Sequence, residues 1–152
     1  MQLSKQLDTR MVLLSPDVID REGLFRKFGE IFVDRGIVES AELVVDRLLE
    51  RETILSTGIG GGVAVPHAQI PNLGRLVMAA STHPEGIAYP ALDEQPVRLV
   101  FCLLGDVNTT ADHLAGLARL ARLARRRDAI EPLIEAHDGR AFITALEKLE
   151  GG

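Results

Sequence analysis

Residues 51 to 68, Arg-Glu-Thr-Ile-Leu-Ser-Thr-Gly-Ile-Gly-Gly-Gly-Val-Ala-Val-Pro-His-Ala, constrain the fold more than any other stretch of this chain. Four glycines fall within five positions, at Gly58, Gly60, Gly61 and Gly62. Glycine reaches positive φ without steric cost and lets another group come close to the backbone. Val63-Ala64-Val65 is uncharged and bounded by glycine and proline, the pattern of a short buried strand. Pro66 has no N–H and cannot extend a central ladder, so the strand is expected to stop there. His67 is then held at the end of a rigid element, beside a flexible glycine loop that the hydroxyls of Ser56 and Thr57 lead into.

Composition narrows the class. A chain of 152 residues suits one domain with a sizeable core. With 46% hydrophobic and 26% charged residues it is ordinary globular material. A formal net charge of −5 argues against broad nucleic-acid or membrane-surface binding. The single cysteine, Cys102, sits in the apolar run Leu99 to Leu104 and reads as a small core residue of a reducing compartment. The N-terminal residues lack the apolar centre of a signal peptide, and no run approaches membrane-spanning length. The expectation is a cytoplasmic single-domain protein with no direct membrane insertion.

Helices and strands alternate along the chain. Met11 to Leu14 reads as a first strand. Asp20 caps a helix that buries Leu24, Phe28, Ile31 and Phe32, with Phe25 at the edge of the face and Gly36 as its stop. Ser40 caps a second helix, with Val44, Val45, Leu48 and Leu49 inward and Arg51 in the last turn. Leu76 to Ala80 reads as a strand, and residues 82 to 96 as a loop with three prolines. Val97 to Leu104 is the clearest strand and is expected at the centre of the sheet. Thr109 or Thr110 starts a helix to about Arg127, with Leu114, Leu117, Leu120, Ala121 and Ala124 inward. Two further helices, Asp128 to Ala136 and Asp138 to Leu149, follow. The pattern predicts one α/β domain, a mixed sheet flanked by helices.

Four histidines are the candidates for chemistry. His83 precedes Pro84 in the expected loop, and His137 adjoins Asp138-Gly139, so both read as solvated. His113 lies in an early turn of the long helix, directed toward the sheet or its edge. It is either a satisfied, partly buried imidazole or part of a site with His67. No metal-ligand spacing, Gly-x-Ser-x-Gly elbow or Walker lysine is present, and the glycines precede a strand rather than a helix. No metal or cofactor is therefore expected. The arginines at 119, 122, 125, 126 and 127 read as the solvated face of a helix. A histidine with an arginine, a second imidazole, hydroxyls and glycine amides suits phosphoryl transfer. Ser56, Thr57 and Gly58 are the expected phosphate contacts.

Arg51-Glu52, Ser56-Thr57-Gly58-Ile59-Gly60 and Ala64-Val65-Pro66-His67-Ala68 resemble the signature of a known family. It is the fructose/mannitol-type enzyme IIA domain of the bacterial phosphoenolpyruvate-dependent sugar phosphotransferase system, including its nitrogen-regulatory branch. Pro84-Glu85-Gly86-Ile87, the segment Asp93 to Phe101, and His113-Leu114 with Leu117-Ala118 are similar to it as well, so the likeness spans Leu3 to Leu149. The resemblance implies that His67 carries phosphate on Nε2, assisted by Arg51 and His113. It implies a histidine phosphocarrier protein as donor. The output is then either phosphorylation-dependent binding to regulatory target proteins, as a module of the nitrogen type, or relay of phosphate to a cysteine of a separate enzyme IIB in sugar uptake. The wording Ser-Thr-Gly-Ile-Gly leans toward the regulatory branch.

Overall fold

Val97–Gly105 (β6) lies in the middle of a six-stranded mixed sheet and is buried along nearly its whole length. The computed structural model describes residues 2–151. The strands run in the order β1 (Val12–Leu14), β5 (Val77–Ile87), β6, β3 (Val63–Ala64), β2 (Gly58–Gly60). A sixth strand, β4 (His67–Gln69), pairs with β6 alone. β6 is antiparallel to β5 and parallel to β3 and β4, and β1 is parallel to β5. Such a strand can be an almost continuous apolar run because, Arg98 apart, its residues are shielded from water.

Among the described residues, five α-helices flank the sheet. Arg21–Asp34 (α1) and Ala41–Ile54 (α2) pack on each other, and α2 leans on β4. Thr110–Ala124 (α3), Arg127–Ile134 (α4) and Gly139–Gly151 (α5) cover β6, β5 and β1. The expected caps form: Asp20 accepts from Gly23 N at 2.9 Å and Ser40 from Leu43 N at 3.1 Å. Among the described residues no helix is long and apolar enough to cross a membrane.

Several expectations are corrected. β3 does stop before Pro66, at Ala64, but the chain does not leave the sheet there. Val63 pairs with Leu99, Ala64 with Val100 and His67 with Leu103, so the register is unbroken and pairing resumes at the histidine. Proline removes one donor without diverting the chain. Part of the glycine loop is itself strand: β2 pairs antiparallel with β3, with Gly60, Gly61 and Gly62 all at positive φ in the turn. Residues 82 to 87 extend β5 instead of forming a loop: Thr82 pairs with Leu14 and Leu99, and Ile87 pairs with Val97 after an irregularity in register. Phe25 is fully buried while Ile31 is only partly so. In α3 the inward residues are His113, Gly116, Leu120, Leu123 and Ala124, whereas Leu114 and Ala121 are exposed. Leucines at 114, 117, 120 and 123 support either phase of the helix, and packing on the sheet selects the one that buries His113.

His83 is the largest departure. It is buried at 4% exposure, with Ser81 Oγ 2.7 Å from its Nε2. Burial lowers its pKa to about 4 from the ordinary 6.5. The unfolded chain therefore takes up the proton first, and stability should fall as pH drops from 6.5 toward 4. At about 1.36 kcal/mol per unit, the loss attributable to His83 is on the order of 3 kcal/mol. Urea unfolding at pH 7 and pH 4.5 should show this slope, and His83→Gln should remove its share while leaving that of the other buried imidazole, His113.

Candidate functional site

Three elements bring three side chains together at one end of β6. β4 opens with His67, the last turn of α2 carries Arg51, and the second turn of α3 carries His113. The Nδ1 of His67 lies 2.8 Å from the Val65 carbonyl oxygen. A carbonyl only accepts, so the proton resides on Nδ1 and Nε2 carries the lone pair. That lone pair accepts from Arg51 Nε at 3.2 Å. The ring of His113 stands 5.2 Å from that of His67, centroid to centroid, at an interplanar angle of 74°.

Gly105, the last residue of β6, makes room for this pair. A Cβ there would fall 2.6 Å from Thr109 Oγ1 and 3.1 Å from His113 Nδ1. Contacts that close would push the imidazole out of place.

Burial lowers the pKa of both imidazoles. For His67 desolvation is the main cause and the Arg51 charge adds to it, opposed by the Val65 carbonyl and Glu52. His113 falls to about 4, through desolvation and then through His67. Both rings are therefore neutral near pH 7, as a nitrogen nucleophile must be. Two buried atoms, Arg51 Nη1 and His113 Nε2, have no hydrogen-bond partner among the described residues. Buried polar groups are rarely left so, and each one costs about 1–3 kcal/mol. A tetrahedral oxyanion attached to His67 Nε2 would bring acceptor oxygens to this spot.

The three residues line an open cleft of about 410 Å³. Ile54, Leu114 and Leu117 form its apolar part, and Arg47, Gln69 and Thr110 add polar groups that the sequence reading did not single out. Arg47 precedes Arg51 by one helical turn, a spacing that puts both on one face and was legible in the sequence.

Ser56, Thr57 and Gly58 do not join this cleft. Ser56 Oγ donates to the Pro90 carbonyl and accepts from Gly58 N at 3.2 Å. The Thr57 hydroxyl is buried against Glu52 and lies 2.6 Å from the Tyr89 hydroxyl, while Thr57 N donates to Glu52 Oε2 at 3.0 Å. These donors hold the chain between α2 and β2 rather than facing His67. Cys102 is fully buried in β6, and desolvation raises its pKa, as befits a core residue. His137 is exposed.

The sequence profile of the phosphoenolpyruvate-dependent sugar phosphotransferase system, EIIA 2, matches residues 5–149. The chain belongs to this family. It is 32% identical over 126 residues to the PTS system fructose-specific EIIA component of Haloferax volcanii, covering 83% of this chain and 82% of that one. It is 37% identical over 108 residues to a nitrogen regulatory protein of Bradyrhizobium diazoefficiens, covering 71% of each. Among solved structures, the nitrogen regulatory protein IIA-Ntr from Neisseria meningitidis superposes with a TM-score of 0.87 at 28% identity. That match covers 95% of this chain and 98% of the other. Both branches of the EIIA 2 family are thus among its relatives.

In an NMR pH titration of this EIIA 2 domain, His113 should titrate near 4 and His67 below 6.5. Midpoints at or above 6.5 for either would mean that the cleft is wetter than its geometry implies.

Proposed function

We propose that the protein is a phosphoryl carrier of the phosphotransferase system, working through a phosphohistidine at His67. The observation that supports this best is the state of its imidazole. Nδ1 is tied to the Val65 carbonyl, leaving the Nε2 lone pair directed at Arg51 and the cleft. In the proposed step Nε2 attacks phosphorus of the donor's phosphohistidine. The new N–P bond forms as the donor's N–P bond breaks, and the donor imidazole leaves with the electron pair. No proton need move, because Nδ1–H stays in place throughout.

Arg51 has two duties in this scheme. At rest its Nε–H covers the lone pair at 3.2 Å. As transfer begins it gives up nitrogen and turns its fork to the phosphoryl oxygens, where a guanidinium binds two at once. His113 Nε2, which has no partner among the described residues, is a neighbour able to hydrogen-bond the added group. Catalysis of this kind is chiefly positioning and charge stabilisation. The donor is a histidine phosphocarrier protein.

For the output we favour a regulatory role of the nitrogen type, phosphorylation-dependent binding to other proteins, supported by the similarity to IIA-Ntr along nearly the whole chain. The second reading is relay to a cysteine of a separate enzyme IIB, supported by the fructose-specific relative. Loss of phosphate from the phosphorylated domain on addition of a purified IIB would select the second.

Incubation with phosphoenolpyruvate and the general phosphotransfer proteins should label His67 with an acid-labile, alkali-stable group. His67→Ala should abolish the label in mass spectrometry, and a label that persists on this variant sinks the assignment. Arg51→Lys should leave the domain folded but slow transfer about a hundred- to a thousandfold, equivalent to roughly 2.7–4 kcal/mol. Transfer at the parental rate would reduce Arg51 to a helix-end charge. Rapid-quench measurement of phosphorylation, with a thermal melt alongside, distinguishes the cases.

A further inference from the structure

We propose that Glu52 is a positioning residue for phosphoryl transfer: its buried carboxylate clamps the last turn of α2 and so holds the Arg51 guanidinium against His67. The inference rests on the reading in which Arg51 serves His67, and it adds a residue that contacts neither phosphate nor imidazole.

The last turn of α2 has little else to hold it. Leu55 leaves the helix in an extended conformation, φ −164° and ψ 137°, so no left-handed cap satisfies the final carbonyls. Ile54 and Leu55 are 77% and 60% exposed, so apolar packing does not pin the turn either. A helix end of this kind frays, and a side chain carried on it is poorly located. Yet Arg51 must place one nitrogen within hydrogen-bond reach of His67 Nε2.

Glu52 supplies the missing anchor. Its side chain is 1% exposed, and donors from three other segments converge on its two oxygens. Oε2 accepts from Thr57 N at 3.0 Å and from Arg21 Nη1 at 3.4 Å. Oε1 accepts from the Thr57 hydroxyl and from Tyr89 OH at 2.7 Å. Arg21 opens α1, Thr57 leads into β2, and Tyr89 follows β5. The Arg21 guanidinium also lies over the Tyr89 ring, 5.9 Å from its centroid. The segment holding Tyr89 is itself fixed to the glycine hairpin, because Leu92 N donates to Gly58 O at 2.9 Å and Gly61 N to Asp93 Oδ2 at 3.0 Å.

A carboxylate buried in this way is not favoured by stability alone, since apolar side chains of similar volume often do as well or better. What the charge adds is direction. Four convergent donors locate Glu52 in all three dimensions, and Arg51 is the residue immediately before it. The same network explains Ser56 and Thr57: their segment secures the anchor, and Thr57 provides two of its donors.

The test compares Glu52→Ala with Glu52→Gln, each in the parental protein and in Arg51→Lys. An amide can keep the shape and turn its NH2 toward the two hydroxyls, so Glu52→Gln should restore much of what Glu52→Ala loses. Two readouts are used. The first is hydrogen exchange of the Arg51 Nε–H by 15N NMR on the unphosphorylated domain, which needs no phosphotransfer and stays informative even if His67 proves not to carry phosphate. Glu52→Ala should speed this exchange at least tenfold. The second is the rate of phosphorylation by the phosphocarrier donor. Glu52→Ala should slow it at least tenfold in the parental protein but less than twofold in Arg51→Lys, because the two residues act in series. Unchanged exchange, or an equal loss of rate in both backgrounds, overturns the proposal. If Glu52→Ala does not fold, Tyr89→Phe and Thr57→Val carry the same test. Each should raise Arg51 Nε–H exchange in a folded protein, and exchange at the parental rate in both overturns the proposal.

Discussion

The site depends on the parallel pairing of residues 63 to 69 with β6. Because the register is the same on both sides of Pro66, His67 lies opposite Leu103, near the end of the most buried strand in the molecule. Everything else is measured from that strand. The chain leaves β6 through Gly105 and Asp106, turns once through Val107–Thr109, and enters α3 with His113 one turn inside. α2 packs against β4 and so brings Arg51 to the same place from the other side. Sites of α/β sheets collect beyond the carboxyl ends of strands because loops from several elements converge there. In this protein the convergence is narrow enough to put both the Arg51 guanidinium and the His113 imidazole beside His67.

The histidines illustrate what separates a working imidazole from a structural one. His83 and His113 are both buried, and both have a pKa pushed down to about 4. The direction of the shift therefore does not distinguish them. Their hydrogen bonding does: His83 Nε2 is met by Ser81 Oγ inside β5, whereas His113 Nε2 is left without a partner beside an open cleft. Burial without a partner is expensive, and a fold retains it where a ligand completes the set. His67 combines the two conditions, with one nitrogen satisfied by the backbone and the other reactive.

The glycine-rich stretch works indirectly. Its positive-φ residues close a tight hairpin between β2 and β3, which docks on the segment after β5 through backbone and Asp93 contacts. A Cβ at Gly58 would collide with the Pro90 carbonyl and Ala91, so the docking requires glycine there. That segment carries Tyr89, whose hydroxyl reaches Glu52. The glycines thus support the end of α2, and through it Arg51, without approaching the histidines themselves.

What the chain alone determined was whatever local pattern and motif spacing encode. The apolar run at 97 to 104 could only be an interior strand, Asp20 and Ser40 could only be caps, and the Arg51-to-His67 motif named the family. Tertiary structure decided the rest, because those outcomes depend on partners remote in sequence. Pairing at Thr82 and again at Ile87 drew a proline-containing stretch into the second half of β5, where His83 is buried. Packing on the sheet chose between two phases of the leucines in α3, turning His113 inward and Leu114 out. Thr57 reads in the sequence as a phosphate contact, yet in the fold its hydroxyl belongs to Glu52 and Tyr89, the latter 32 residues farther along the chain. A hydroxyl bonds whichever group the fold brings within 3 Å, and no local pattern specifies that group.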